Sequence, residues 1–385
     1  MPPLFTLQSK LPELGATIFT VMGRLATETG AINLSQGFPD FPAPAGLLDR
    51  VTHHLRAGHN QYAPMAGLPE LRTQIARKTL ALYGRSVDPE TEVTVASGAT
   101  EALFCAIQAV VHTGDEVLCL DPAYDSYDPA IRLAGGRAVH IPLRHPGFGV
   151  DWERVRMAVT PRTRLLILNS PHNPTGAVLS AADIAALTEL VAGSPLLLLS
   201  DEVYEHMVFD GCRHESLLRY PELAERSLVV SSFGKTYHAT GWKIGYCVAP
   251  AALTREFRQV HQYVQFCVVT PLQWALADFL ESDPAHYLGL PAFYQAKRDH
   301  FCALLEASRF RFTPSAGTYF QLLDYSAITN ESDVDYARRL TTEAGVACIP
   351  VSVFCAEPTG AQLLRFCFAK EPGTLERAAE ILCRI

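Results

Sequence analysis

Short apolar runs recur along this chain, each leading into polar or small residues and some of them followed by a helix-like stretch. Val93-Thr94-Val95, Val117 to Leu120, Leu165 to Leu168, Leu196 to Leu199 and Leu228 to Val230 are too short for buried helices and rich in leucine and β-branched residues. Helix-like patterns over 101–111 and 181–192 lie among them. Strands that are apolar throughout and alternate with helices are buried on both faces, so the pattern predicts an α/β fold with a mainly parallel sheet. Ligands of such open sheets bind beyond the carboxyl ends of the strands. Tyr124, Asn173, Asp201 and Lys235 each stand just past a strand end.

Lys235 sits in the most informative stretch, Ser231 to Tyr246. It leaves a buried strand beside glycine, where a backbone can approach a ligand closely. A lysine held there loses hydration, its pKa falls, and its neutral amine can form a Schiff base. An ordinary basic loop is the competing reading. Ser97-Gly98-Ala99-Thr100 lies between a strand and a helix, and helix N-termini suit phosphate. Ser232 and Lys243 can complete that site with a hydroxyl and a cation, although Lys243 also reads as a surface lysine. Asp201 follows four leucines, where an acid needs a partner: it is a helix N-cap, or it faces a cationic ring nitrogen. Tyr204 shares that place or packs in the core. Asn173-Pro174-Thr175-Gly176 is a turn signal whose amide can also meet a phenolate oxygen and a carboxylate. Tyr124 is either packing or a plate stacked on a flat ring. Arg365 lies in the apolar strand 363–368, so it demands an anion, either an internal acid or a substrate carboxylate. A phosphate cradle, a stacking ring, an acid, a lysine and a carboxylate-binding arginine together describe pyridoxal 5′-phosphate with an amino acid.

Composition limits the alternatives. The 385 residues predict two or three domains, and 48% hydrophobic content argues against disorder. A net charge of −8 without a basic block gives no support to nucleic-acid binding. Ten cysteines show neither C-x-x-C pairs nor zinc-site spacing, which predicts reduced thiols, a cytoplasmic location and no metal. Met1 to Leu14 does not read as a signal peptide, and no apolar run is long enough to span a membrane. Towards the C-terminus, helices are expected over 255–266, 272–281 and 291–305, with strands over 317–322, 346–350 and 363–368.

The order Asn173-Pro174-x-Gly176, Asp201-x-x-Tyr204, Ser232-x-x-Lys235, Gly241-Trp242-Lys243 and Arg365 resembles the class I aminotransferases of the aspartate aminotransferase superfamily, from about Gly15 to the C-terminus. Gln36 to Phe41, Asn60-Gln61-Tyr62 and Ile349 to Phe354 resemble the kynurenine and glutamine transaminase branch. Ser232 to Gly245 and Asp121 to Tyr127 look closest to the bacterial methionine aminotransferases of that branch. The resemblance implies fold type I: a large domain, 46–282, with a mainly parallel seven-stranded sheet, and a smaller α+β domain built from both termini, 1–45 and 283–385. It implies that Lys235 holds the cofactor as a Schiff base and that Asp201 keeps the ring nitrogen protonated. Tyr204 and Asn173 would bind the ring oxygen, and Tyr124 would stack on the ring. Gly98, Ala99, Thr100, Ser232 and Lys243 would hold the phosphate, with Tyr62 reaching in from the other subunit of a homodimer. Arg365, the Gly37 backbone and Asn173 would take the substrate carboxylate. Lys243 departs from the aspartate enzymes, which carry arginine there, and Phe19 stands where relatives place a tryptophan beside the substrate side chain. The implied activity is ping-pong transfer of the amino group of a large neutral amino acid (methionine first, then aromatic, histidine or kynurenine donors) to a 2-oxo acid. A β-lyase of cysteine conjugates on the same scaffold is the alternative. A PLP-binding regulator would carry a DNA-binding segment, which the sequence does not show.

Overall fold

Seven strands form the central sheet of the computed structural model, which describes residues 7–357 and 360–385. The start of the expected N-terminal arm and of the leader reading, residues 1–6, lies outside the described residues. In spatial order the strands are Val93–Ala96, Gly245–Val248, Ser227–Ser232, Leu197–Asp201, Thr163–Asn169, Glu116–Asp121 and Arg137–Pro142. Gly245–Val248 runs antiparallel to both neighbours, and every other pairing is parallel. The alternation of side chains explains the continuous apolar runs. Leu118, Leu166, Leu198 and Val229 point into one core, while Val117, Leu165, Leu199 and Leu228 point into the other. Helices Ala99–Val110 and Ala251–Val264 cover the second core through Ala102, Ala106 and Phe257. Helices Pro69–Tyr83, Ala181–Val191 and Thr270–Ser282 cover the first through Ile75, Leu187 and Ala275.

A smaller α+β portion draws on both ends of the chain. Ile32–Asn33 pairs in parallel with Val346–Ala347, and Ile349–Pro350, Leu363–Cys367 and Phe320–Asp324 form an antiparallel sheet. The run expected as one strand over 346–350 therefore splits at Cys348, whose two flanking pairs join different sheets. A second correction concerns the helix expected to start at Pro291. It runs from Pro284 to Leu305 with Pro291 inside it. An internal proline costs about 3 kcal/mol. Here Tyr287, Leu290, Tyr294, Phe301 and Leu305 are buried along the helix on both sides of it, and that packing outweighs the lost bond. Helix Ala99–Val110 starts two residues before the expected Glu101, which makes Gly98 its cap. No helix among the described residues is long and apolar enough to cross a membrane.

One ionic cluster lies inside this framework. Lys78 Nζ is 2.7 Å from Glu205 Oε1 and 2.6 Å from the Tyr246 hydroxyl, and both charged side chains are buried. The Tyr83 and Ser231 hydroxyls also donate to the Glu205 carboxylate. Burial by itself raises the Glu205 pKa, but Lys78 and the Ser231 hydroxyl hold it well below the usual carboxylate range. The cluster thus anchors the residue after Tyr204 to the residue before Ser232. Removing one partner strands the other charge, so Lys78→Met is expected to lower stability in urea unfolding by about 3–5 kcal/mol. A loss below about 1 kcal/mol, the size of an exposed pair, would contradict this account of the cluster.

Candidate active site

Beyond the carboxyl ends of the parallel strands lies a cavity of about 280 Å³. Every residue singled out from the sequence lines it except Tyr62, whose side chain is largely exposed and meets the Phe266 ring edge-on at 5.2 Å.

Lys235 follows strand Ser227–Ser232 in the short helix Phe233–Thr236. Its Nζ donates to the Tyr319 hydroxyl at 2.9 Å and to the Gly37 carbonyl at 3.1 Å. The Tyr204 and Tyr319 rings lie 5.6 and 5.4 Å from it. Burial, with Lys243 and Arg365 nearby, brings its pKa down to about 8, against smaller opposing effects of Cys367 and Asp201.

Asp201 ends strand Leu197–Asp201, and no helix follows it, so the N-cap reading is set aside. Its carboxylate accepts from the Tyr127 hydroxyl at 2.7 Å and from the Val203 amide at 3.3 Å. Burial raises its pKa to about 6 despite these donors. A neighbouring cation would reverse that shift.

Arg365 is 1% exposed. It donates through Nη1 to Asn173 Oδ1 at 2.7 Å and through Nη2 to the Ser35 carbonyl at 2.8 Å, while Nε has no partner. The Phe320 ring lies 3.9 Å from its guanidinium, Phe19 5.2 Å and Phe354 5.9 Å. Nothing acidic among the described residues pairs with it, so the internal-acid reading is also set aside. A buried cation held by neutral acceptors and aromatic faces calls for an anionic ligand. The Gly37 amide, beside it in the cavity, makes no backbone hydrogen bond.

The phosphate features meet at the start of helix Ala99–Val110. Gly98 caps it at φ 78°, and a Cβ there would stand 3.3 Å from Lys243 Cε and 3.4 Å from its Nζ. Glycine thus lets the lysine lie against the helix N-terminus, whose free N–H groups and dipole favour an anion. Thr100 and Ser232 line the same end of the cavity. Tyr124 forms a side wall, 5.8 Å from Tyr127 edge-on and 6.5 Å from Phe19. Three cations against one acid, an exposed helix N-terminus and an unpartnered guanidinium nitrogen fit a ligand set with a phosphate and a carboxylate, as pyridoxal phosphate with an amino acid provides.

Sequence reasoning passed over several contributors. Tyr319 was visible only as part of an apolar strand, yet it touches Lys235. Tyr127 supports Asp201. Asn169 ends its strand, the same signal that marked Asp201. Its amide donates to the Asp201 carbonyl and its oxygen accepts from the Asn173 amide, both at 2.8 Å, so it joins two strand ends.

Comparison with known proteins agrees with this geometry. The family model for aminotransferase class I and II matches residues 29–382. The methionine aminotransferase of Escherichia coli K12 is 55% identical over 375 residues, covering 97% of each chain. A probable N-succinyldiaminopimelate aminotransferase of Mycobacterium tuberculosis is 41% identical over 382 residues, covering 96% of each. An Escherichia coli crystal structure whose reactivity identified a methionine aminotransferase function superposes with a TM-score of 0.97 at 54% identity over the whole of both chains. With the family match spanning nearly all of its length, this chain belongs to the class I and II aminotransferases.

Proposed function

We propose that this aminotransferase uses pyridoxal phosphate on Lys235 to move the amino group of a large neutral amino acid, methionine first, to a 2-oxo acid. The observation that carries the reading is Arg365: a buried guanidinium, without an acid partner among the described residues, shares an aromatic-walled cavity with the half-buried Lys235. Arg365 would take the substrate carboxylate, with the Gly37 amide and Asn173 beside it. Phe19 and Phe320 leave an apolar wall for the side chain, and the lining contains no second arginine for a dicarboxylate. The methionine specificity of the 55% identical relative supports the same donor class.

When bound, pyridoxal phosphate supplies an aldehyde for the donor nitrogen and an electron-withdrawing ring for the electron pair left by the Cα proton. Gly98, Ala99, Thr100, Ser232 and Lys243 would hold its phosphate. Tyr124 would stack on the ring, Tyr204 and Asn173 would bind its oxygen, and Asp201 would hold a proton on its nitrogen. Tyr127 keeps Asp201 oriented. Lys235 Nζ, depressed to about 8, is neutral in roughly a tenth of molecules at pH 7, which suits a group that must both accept and return a proton. Tyr319 and the Gly37 carbonyl aim that amine into the cavity.

The same reading makes the active unit a homodimer, with Tyr62 entering the partner's phosphate site. The exposure of Tyr62, Tyr263 and Phe266 supports it, since large rings left in water favour a covering surface. It divides the chain at 45/46 and 282/283. A cytoplasmic location suits ten free cysteines, six of them buried.

Adding L-methionine alone to the holoenzyme should convert the cofactor absorbance to that of its amino form and release one 2-oxo acid per site. Conversion by aromatic donors but not methionine would remove the donor choice. Pyruvate and ammonia from a cysteine conjugate, without transfer, would favour the β-lyase. In cofactor-free protein, amine-directed labelling of Lys235 should rise through about pH 8, because burial disfavours its charged form. Labelling that rises only above about pH 10, as for solvated lysines, would contradict the depressed pKa.

A further inference from the structure

A buried polar cluster stands beside the phosphate features. Glu101, in the first turn of helix Ala99–Val110, accepts from the Ser97 amide at 3.0 Å through Oε2. Its Oε1 accepts from His261 Nδ1 and Cys105 Sγ, each at 2.8 Å. His261 is wholly buried on helix Ala251–Val264, and its Nε2 lies 3.2 Å from the Met65 carbonyl. Both ring nitrogens face acceptor oxygens, so the ring stands between Glu101 and the Met65 carbonyl. The three side chains also have the residue types of metal ligands and lie within 4.8 Å of one another. The His261 contact to Oε1, however, has the length of a hydrogen bond and already engages that oxygen.

A buried polar or ionic contact is weak evidence for stability, and its best-attested use is to fix one geometry. Here the two segments it fixes are informative. Ser97 opens the turn that presents Gly98 and Thr100. Met65 belongs to the loop that carries Tyr62. We propose that Glu101 and His261 are a positioning pair for phosphate binding: Glu101 closes the Ser97–Thr100 turn, and His261 ties that turn to the Tyr62 loop. This rests on the reading of Gly98 to Thr100 and Lys243 as the phosphate site.

The test compares ligands that differ only in phosphate. Affinities for pyridoxal phosphate, pyridoxal and inorganic phosphate are measured on the full chain after cofactor removal. Glu101→Gln should weaken pyridoxal phosphate and inorganic phosphate about 10-fold, the size of one lost charge-assisted hydrogen bond, and leave pyridoxal unchanged. Should Glu101→Gln fail to fold, His261→Gln is read by the same comparison. Lys243→Met serves as the control for the phosphate site. If it shows no phosphate-specific loss, the site reading fails and the pair's role with it. If Lys243→Met shows the loss but the Glu101 or His261 variant weakens pyridoxal equally, or weakens neither ligand, the pair has no positioning role and the site reading stands.

Discussion

The cavity is organised by charge that the protein does not neutralise itself. Lys235 and Arg365 are held by a hydroxyl, carbonyls, an amide oxygen and aromatic faces rather than by carboxylates, and the one acid in the lining, Asp201, is engaged by Tyr127. Burying an ion costs several kcal/mol unless something compensates. The desolvation is visible in the depressed pKa of Lys235, the lowered pKa of Arg365 and the raised pKa of Asp201. Each of these shifts has the sign that an anionic substrate with a cationic ring would reverse. The fold meets this cost at the sheet edge and through the buried Lys78–Glu205 cluster, which fixes the neighbours of Tyr204 and Ser232.

Much of this was legible in the chain because the chemistry sits at strand ends. A polar residue that closes an apolar run has few structural reasons to be there, which is how Asp201, Asn173 and Lys235 could be picked out. The parallel sheet was legible for a related reason: strands buried on both faces lose the polar alternation that marks a half-exposed sheet. Arg365 stood out against its apolar strand, although only the structure shows that no acid among the described residues pairs with it.

What stayed hidden depends on long-range partners. Tyr319 reads as one more core aromatic until Lys235, 84 residues away, is seen against its hydroxyl. Glu101 and His261, 160 residues apart, carry no local signal that they meet. Pro291 gave a misleading signal, since a proline is a sound helix start in isolation and the packing around Tyr287 and Leu290 that overrides it is tertiary. The split at Cys348 is of the same kind, because a run of apolar residues does not say which of two sheets each residue joins.

The claim on which the rest turns is that one amine, Lys235, carries the cofactor. Borohydride reduction of the purified protein followed by peptide mass spectrometry tests it directly. The account predicts a single pyridoxyl group on Lys235. A group on Lys243 or another lysine instead, or none on a protein that still transaminates, would contradict it.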